Sequence, residues 1–280
     1  MDIKGETRII TPPPGIHRNI RFADYLRWPL VSQSVLKRGR ESMAHLKCAL
    51  DGLSLLTPTD DMLLGSALHT AFLEPEYLES RVKVWTGARR HGKAWDEFQQ
   101  EHEGKVILTE GNHENLLGMV AALRKHPRVR EWSNKIDAVE VSAIGSIEGV
   151  PVKGRCDAMT IDPMVDLKKV RSTNPVAVTR AILDFGYHIQ AHIYRQLFKR
   201  ERFVLICVEG APPHDVVAYE LSPAFLRIGR DEATALLQRV KFCLESGEWP
   251  GRSDETVQLE PPEWAATASD ITLDGDSFEE

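Results

Sequence analysis

The 280-residue chain has no C-x-x-C pair, and its four cysteines, Cys48, Cys156, Cys207 and Cys243, stand far apart without a histidine pattern that would complete a zinc site. That excludes a cysteine-ligated metal centre and leaves reduced, mostly buried thiols as the expectation. No apolar run approaches the length of a membrane span, and the start, MDIKGETRII, lacks the basic-then-apolar layout of a signal peptide. A cytoplasmic protein with no membrane partner is expected. An excess of positive charge is also missing: 35 Lys and Arg against 41 Asp and Glu give a net charge of −6. This argues against a protein that coats nucleic acid, but not against one that confines it to a channel, where only the local potential matters. Basic clusters do exist, at Arg89, Arg90, His91 and Lys93, at Lys168, Lys169 and Arg171, and at Lys199, Arg200 and Arg202, while residues 265–280 hold five acids and no Lys or Arg.

What is present is an ordinary globular composition, 42% hydrophobic and 27% charged, in a chain long enough to bury a substantial core. Residues 1–23 contain TPPPG and little periodicity and read as an irregular lead-in. The folded domain is expected over 24–249, and 250–280 read as an acidic, flexible tail. The most informative stretch is GVPVKGRCDAMTIDPMVDLKKVRST. It reads as two short strands joined by a turn at Asp162 and Pro163, with Asp157 on the first strand and Asp166 and Lys168 on the second. Residues two apart on a strand share a face, so Asp166 and Lys168 project together, and hairpin pairing brings Asp157 to the same spot. Two carboxylates beside one lysine suit a hard divalent cation and the hydrolysis of a phosphodiester. The same D-x-K spacing also suits a solvated strand face or a surface ion pair.

Around this stretch the remaining elements fall into order. A helix is expected from Ser32, with Val35, Leu36, Leu46 and Leu50 on its apolar side, serving packing or contact with DNA. Asp60 or Asp61 caps a helix that ends near Glu74; it carries Gly65 and His69 on one face, the glycine allowing close approach to the sheet. Strands at RVKVW and KVILT flank a polar helix, and the basic loop GARRHGK is a phosphate contact or a solvated loop. A helix over 110–125 buries Leu116, Leu117, Val120 and Leu123. AVEVSAIGSIEGVPVKGRCDAMT is a hairpin turned at Glu148-Gly149. Helices follow over 175–185 and from Tyr187 to about Arg200, the second with Tyr187, Gln190 and Tyr194 in one stripe. FVLICVEG is a strand covered on both faces, DVVAYEL is its partner, and a long helix over 223–246 closes the domain.

GRCDAMTIDPMVDLKKVRST resembles the core of the PD-(D/E)XK nuclease superfamily in its D-x-K variant, as in RecB-type nucleases. MLLGSALHTAFLEP is similar to the G-x-x-x-H helix, YHIQAHIYRQLF to the Q-x-x-x-Y helix, and DYLRWPLVSQSVLKRGRESMAHLK to the amino-terminal segment of phage-type RecE exonuclease, also called exodeoxyribonuclease VIII. The resemblance spans about Asp24 to Phe198. It implies an α/β fold with a restriction-endonuclease-like core, a mixed β-sheet flanked by helices. It implies a Mg²⁺-dependent exodeoxyribonuclease, with Mn²⁺ able to substitute, that digests one strand of linear duplex DNA 5′→3′ to mononucleotides and leaves 3′ overhangs for phage or prophage recombination in a bacterial cytosol. DNA ends, a homo-oligomeric ring and a RecT-like annealing protein are the implied partners. The resemblance makes Asp157, Asp166, His69 and the carbonyl of Leu167 metal ligands, Lys168 the group that steadies hydroxide or transition state, and Glu140 an acid near the metal. Gln190 and Tyr194 touch the DNA backbone or the lysine, and Arg171 joins them as a substrate contact. Without the resemblance, His69 reads as a core histidine and Glu140 as an edge-strand charge. Lys169 departs from the family, which usually has threonine there. The absence of a cysteine cluster separates the chain from Cas4-like and AddB-like relatives. A related endonuclease, a helicase-associated RecB-like nuclease and a non-catalytic DNA-binding protein of the same fold are the alternatives.

Overall fold

A computed structural model describes residues 11–53 and 58–262. The amino-terminal MDIKGETRII and the tail beyond 262, including DGDSFEE, lie outside the described residues. The described chain runs β1 (Gly15–His17), α1 (Phe22–Arg27), α2 (Gln33–Leu36), a 3₁₀ turn (Lys37–Arg40), α3 (Met43–Leu50), α4 (Asp60–Leu73), a second 3₁₀ turn (Pro75–Tyr77) and α5 (Leu78–Arg81). It continues through β2 (Val82–Trp85), α6 (Lys93–Glu101), β3 (Val106–Thr109), α7 (Glu110–Lys125), α8 (Pro127–Ser133), β4 (Ala138–Ile147), β5 (Val150–Met159) and β6 (Met164–Val170). Then come α9 (Pro175–Phe185), α10 (Tyr187–Phe198), β7 (Phe203–Glu209), β8 (Val216–Glu220) and α11 (Pro223–Ser246).

Six strands form one mixed sheet in the order β1-β4-β5-β6-β7-β8, antiparallel except for β6 beside β7. That parallel pair requires a crossover, which α9 and α10 supply. Phe203 to Val208 of β7 are all buried because helices cover both faces of the sheet: Phe203, Leu205 and Cys207 pack in one core with α10 and α11, Ile206 and Val208 in a second with α4 and α7. β2 and β3 pair in parallel as a separate small sheet. Glu148 and Gly149, with φ of 52° and 77°, turn the β4–β5 hairpin, as two-residue hairpin loops require.

Several expectations change. The lead-in is not irregular throughout, since Gly15–His17 pair with Ser142 to Ile144 at the sheet edge. The helix from Ser32 is broken: Ser32 caps α2 and Ser42 caps α3, with the 3₁₀ turn between. The break lets Leu36 and Leu46 both reach the core while Arg40 turns to pair with Glu232. Thr59, not an aspartate, caps α4. Leu117 is half exposed and Met119 takes its place inside, because the buried stripe of α7 runs 116, 119, 120, 123. Gly65 has open space beside it rather than a neighbouring strand. Trp249, the last residue of the expected domain, packs on the core, and the next residue still makes a contact, the Pro250 carbonyl accepting from the Ala44 amide at 3.0 Å. Residues 251–262 form no helix or strand. Among the described residues no helix is long and apolar enough to cross a membrane. Three cysteines are buried and Cys48 is exposed, all unbridged.

Candidate active site

β5 and β6 pair at only one register position, Ala158 with Val165, and then part. In the opening the backbone ladder is replaced by a side chain: the Leu167 amide donates to Asp157 Oδ2 at 2.8 Å. The fork matters because it lets groups from both layers of helices meet. Period-two alternation along β6 sends Val165 and Leu167 to the α4 side and Asp166 and Lys168 to the α10 side. His69 arrives on α4 from the opposite layer, its Nδ1 3.5 Å from Asp157 Oδ1 and 4.0 Å from Glu140 Oε1.

Glu140 falls opposite Asp157 across the β4–β5 ladder, between the assigned pairs Val139–Ala158 and Val141–Cys156. It has a φ of 52°, a left-handed conformation that costs a non-glycine residue on the order of 1 kcal/mol and is tolerated where surrounding contacts enforce it. The enforcing contact is Arg155, whose Nε donates to Glu140 Oε2 at 2.7 Å while Nη1 donates to the Ile20 carbonyl at 2.8 Å and to Ser142 Oγ at 3.1 Å. Arg155 was not singled out from sequence, although its place two residues before Asp157 on one strand was the available signal.

Asp166 is 1% exposed. Its Oδ1 accepts from Gln190 Nε2 at 2.7 Å, and Lys168 Nζ lies 2.5 Å from Oδ2, which otherwise makes no hydrogen bond. The Lys168 ammonium also sits 4.9 Å from the centre of the Tyr187 ring, a cation–π contact. Burial and the neighbouring Asp157 charge push Asp166 up to about 6, against the pull of Lys168. Burial opposes charge on Lys168, but Asp166 and Asp157 outweigh it and raise its pKa. At His69 burial is likewise overcome by Asp157, raising the imidazole to about 9. Burial also works against Asp157, yet the His69 and Lys168 charges hold it below the usual carboxylate range. Glu140 is raised by burial and by Asp157.

The structure thus brings His69, Glu140, Asp157, Asp166, Lys168 and Gln190 to one fork. His69, Glu140 and Asp157 form the group able to hold an ion, with one donor atom each and all three within 4.8 Å of one another; Asp166 is outside that group. Two carboxylates and one imidazole converging in this way, with the Asp166–Lys168 pair beside them, fit a hard divalent cation. Leu167 has its side chain buried on the α4 side. Tyr194 is 8% exposed and its hydroxyl donates to the Arg155 carbonyl at 2.6 Å, so it braces β5 against α10. Arg171 stands exposed beyond the end of β6. Lys169 forms an ion pair with Asp61 in the first turn of α4. In the GARRHGK loop, Arg90 pairs with Asp60 at 2.6 Å and lies against the Trp95 ring.

No curated protein matches the chain. A crystal structure described as that of a "putative exonuclease" from Eubacterium rectale superposes with a TM-score of 0.61, at 13% identity, covering 91% of this chain and all of that one, which establishes a shared fold. SSO0001, 19% identical over 78% of this chain and 95% of its own, superposes at only 0.28 and carries no weight. A family described as a PDDEXK-like domain of unknown function, DUF3799, matches residues 32–260, a span that takes in every strand of the forked sheet except β1. That match covers most of the chain, and the chain belongs to this PDDEXK-like family, with the core of the PD-(D/E)XK nuclease superfamily.

Proposed function

We propose that the protein is a Mg²⁺-dependent exodeoxyribonuclease of the RecE type, digesting one strand of linear duplex DNA 5′→3′ and leaving 3′ overhangs for a RecT-like annealing protein. The observation that carries a phosphodiesterase reading is the meeting of the His69–Glu140–Asp157 group with the buried Asp166–Lys168 pair at the sheet fork. The exonuclease class draws support from the description of the Eubacterium rectale neighbour, and polarity and product from the resemblance to RecE over 24–198.

When bound, Mg²⁺ or Mn²⁺ supplies Lewis acidity to the scissile phosphate and lowers the pKa of an attacking water. His69, Glu140 and Asp157 would hold the ion, and Arg155 fixes Glu140 in its left-handed conformation for that task. Gln190 orients Asp166, and Asp166 in turn keeps the Lys168 ammonium charged and aimed into the fork. There the ammonium stabilises negative charge that develops on hydroxide and phosphate oxygens in a partly water-excluded setting, where such a contact is strongest.

The test is digestion of a linear duplex labelled at one 5′ end, with Mg²⁺ or with EDTA, by the wild type and by Asp166→Ala. Labelled mononucleotide is expected only from the wild type with Mg²⁺. Equal cutting of covalently closed circles would replace the exonuclease reading by an endonuclease, and no cutting with any divalent metal would remove the enzymatic reading.

A further inference from the structure

Gly186 ends α9 and begins α10 with a φ of 70°, so the chain changes direction at a single residue. The turn sets Phe185 and Tyr187 side by side, with ring centroids 5.7 Å apart and planes inclined by 32°. The corner is pinned by Gln33, whose side-chain amide donates to the carbonyls of Phe185 at 3.1 Å and Gly186 at 3.2 Å. A Cβ at position 186 would lie 3.3 Å from that amide nitrogen. The rings are therefore placed by the backbone and by α2.

Tyr187 is half-buried beside the Lys168 ammonium, whereas Phe185 is 53% exposed. Together they make a step of two aromatic faces leading from the proposed catalytic lysine to solvent. Lys37 packs at the same corner, its Cβ 3.8 Å from the position a Gly186 Cβ would take. Burial and the charges of Arg38, Arg40 and Lys168 lower the Lys37 pKa, which places a second ammonium in the field of the first.

Every base inside a duplex has both faces covered by its neighbours, but the base at an end has one face bare. We propose that Phe185, backed by Tyr187, is a stacking platform for the bare face of the terminal base of a DNA end, with Lys37 holding the adjacent phosphate, so that the site selects ends over interior positions. This rests on the nuclease reading above and gives it a structural source of end preference. Base–aromatic stacking of this kind is worth roughly tenfold in affinity, or about 1.4 kcal/mol.

The test is binding, by fluorescence anisotropy in Ca²⁺, of a short duplex whose 5′-terminal nucleotide either carries its base or is abasic. The wild type is expected to lose about tenfold in affinity when the base is removed. Phe185→Ala is expected to bind both ends alike, at the level of the wild type on the abasic end, and Phe185→Trp to restore the difference. Wild type indifferent to the base, or Phe185→Ala retaining the wild-type ratio, would overturn the platform. Digestion of the same base-bearing duplex with Mg²⁺ separates the causes: a wild type that cuts without dependence on Phe185 removes the platform alone, and one that neither binds nor cuts DNA removes the nuclease reading with it.

Discussion

Lys168 neutralises a carboxylate that water scarcely reaches, and this gives it a structural role beside the chemical one. From sequence alone, Lys168→Ala is expected to remove activity with folding nearly intact. The burial of Asp166 changes that, because the substitution leaves a buried charge without its partner. The sign with pH follows from Asp166 being raised to about 6 in the folded state. Its contribution to stability is fully present below the unfolded carboxylate value and is lost as pH rises through about 6. Without Lys168 the folded value rises further, so the mutant keeps losing stability at pH values where the wild type has finished doing so. Lys168→Ala is expected to cost about 3 kcal/mol at pH 8 and much less at pH 5, measured by urea unfolding in EDTA, with activity reduced about a hundredfold or more. Equal costs at both pH values would show that Lys168 does not carry this charge balance. Period two made Asp166 and Lys168 legible as neighbours. The left-handed backbone of Glu140 was not legible, since no local rule places a glutamate there; its contact with Arg155 is made across strands.

At the scale of elements, the helices with clear caps and stripes, α7, α9 and α11, lie where capping residues and apolar spacing put them. The segment after Ser32 fails the same rule because a second capping serine, Ser42, restarts the helix after the 3₁₀ turn. Which helices touch was not written in periodicity. α10 and α11 cross at Gly229, where an added Cβ would lie 2.1 Å from the His188 carbonyl oxygen, a backbone atom that cannot swing aside. Gly229→Ala is therefore expected to lower stability by about 2 kcal/mol in urea unfolding, despite the better helix propensity of alanine. A neutral or stabilising result would mean that the helices do not approach this closely. Helical spacing puts Tyr187, Gln190 and Tyr194 on one stripe. The crossing divides it: Gln190 reaches Asp166, Tyr187 covers Lys168 and Tyr194 braces β5.

For the whole molecule, we propose assembly into a homo-oligomeric ring around DNA, an expectation that rests on the RecE resemblance. Light scattering should then give a mass that is a multiple of the 31.5 kDa chain, and the mass of a single chain at micromolar concentration would remove the ring. The net charge of −6 is compatible with DNA binding because Lys37 and Lys168 gather at one corner beside the site, whatever the sum over the surface. The sequence by itself determined the α/β class, the fully covered strand β7, the β4–β5 turn and the D-x-K pair, because alternation, helical spacing and turn chemistry act over a few neighbouring residues. Only the tertiary structure decided that β5 and β6 part after one pair, that His69 enters from the opposite layer, and that Glu140 comes within reach of His69 and Asp157. Those outcomes depend on how two layers of helices pack across a forked sheet, and the contacts that fix them join residues on different elements, from Leu167 with Asp157 to the far more distant His69 with Asp157.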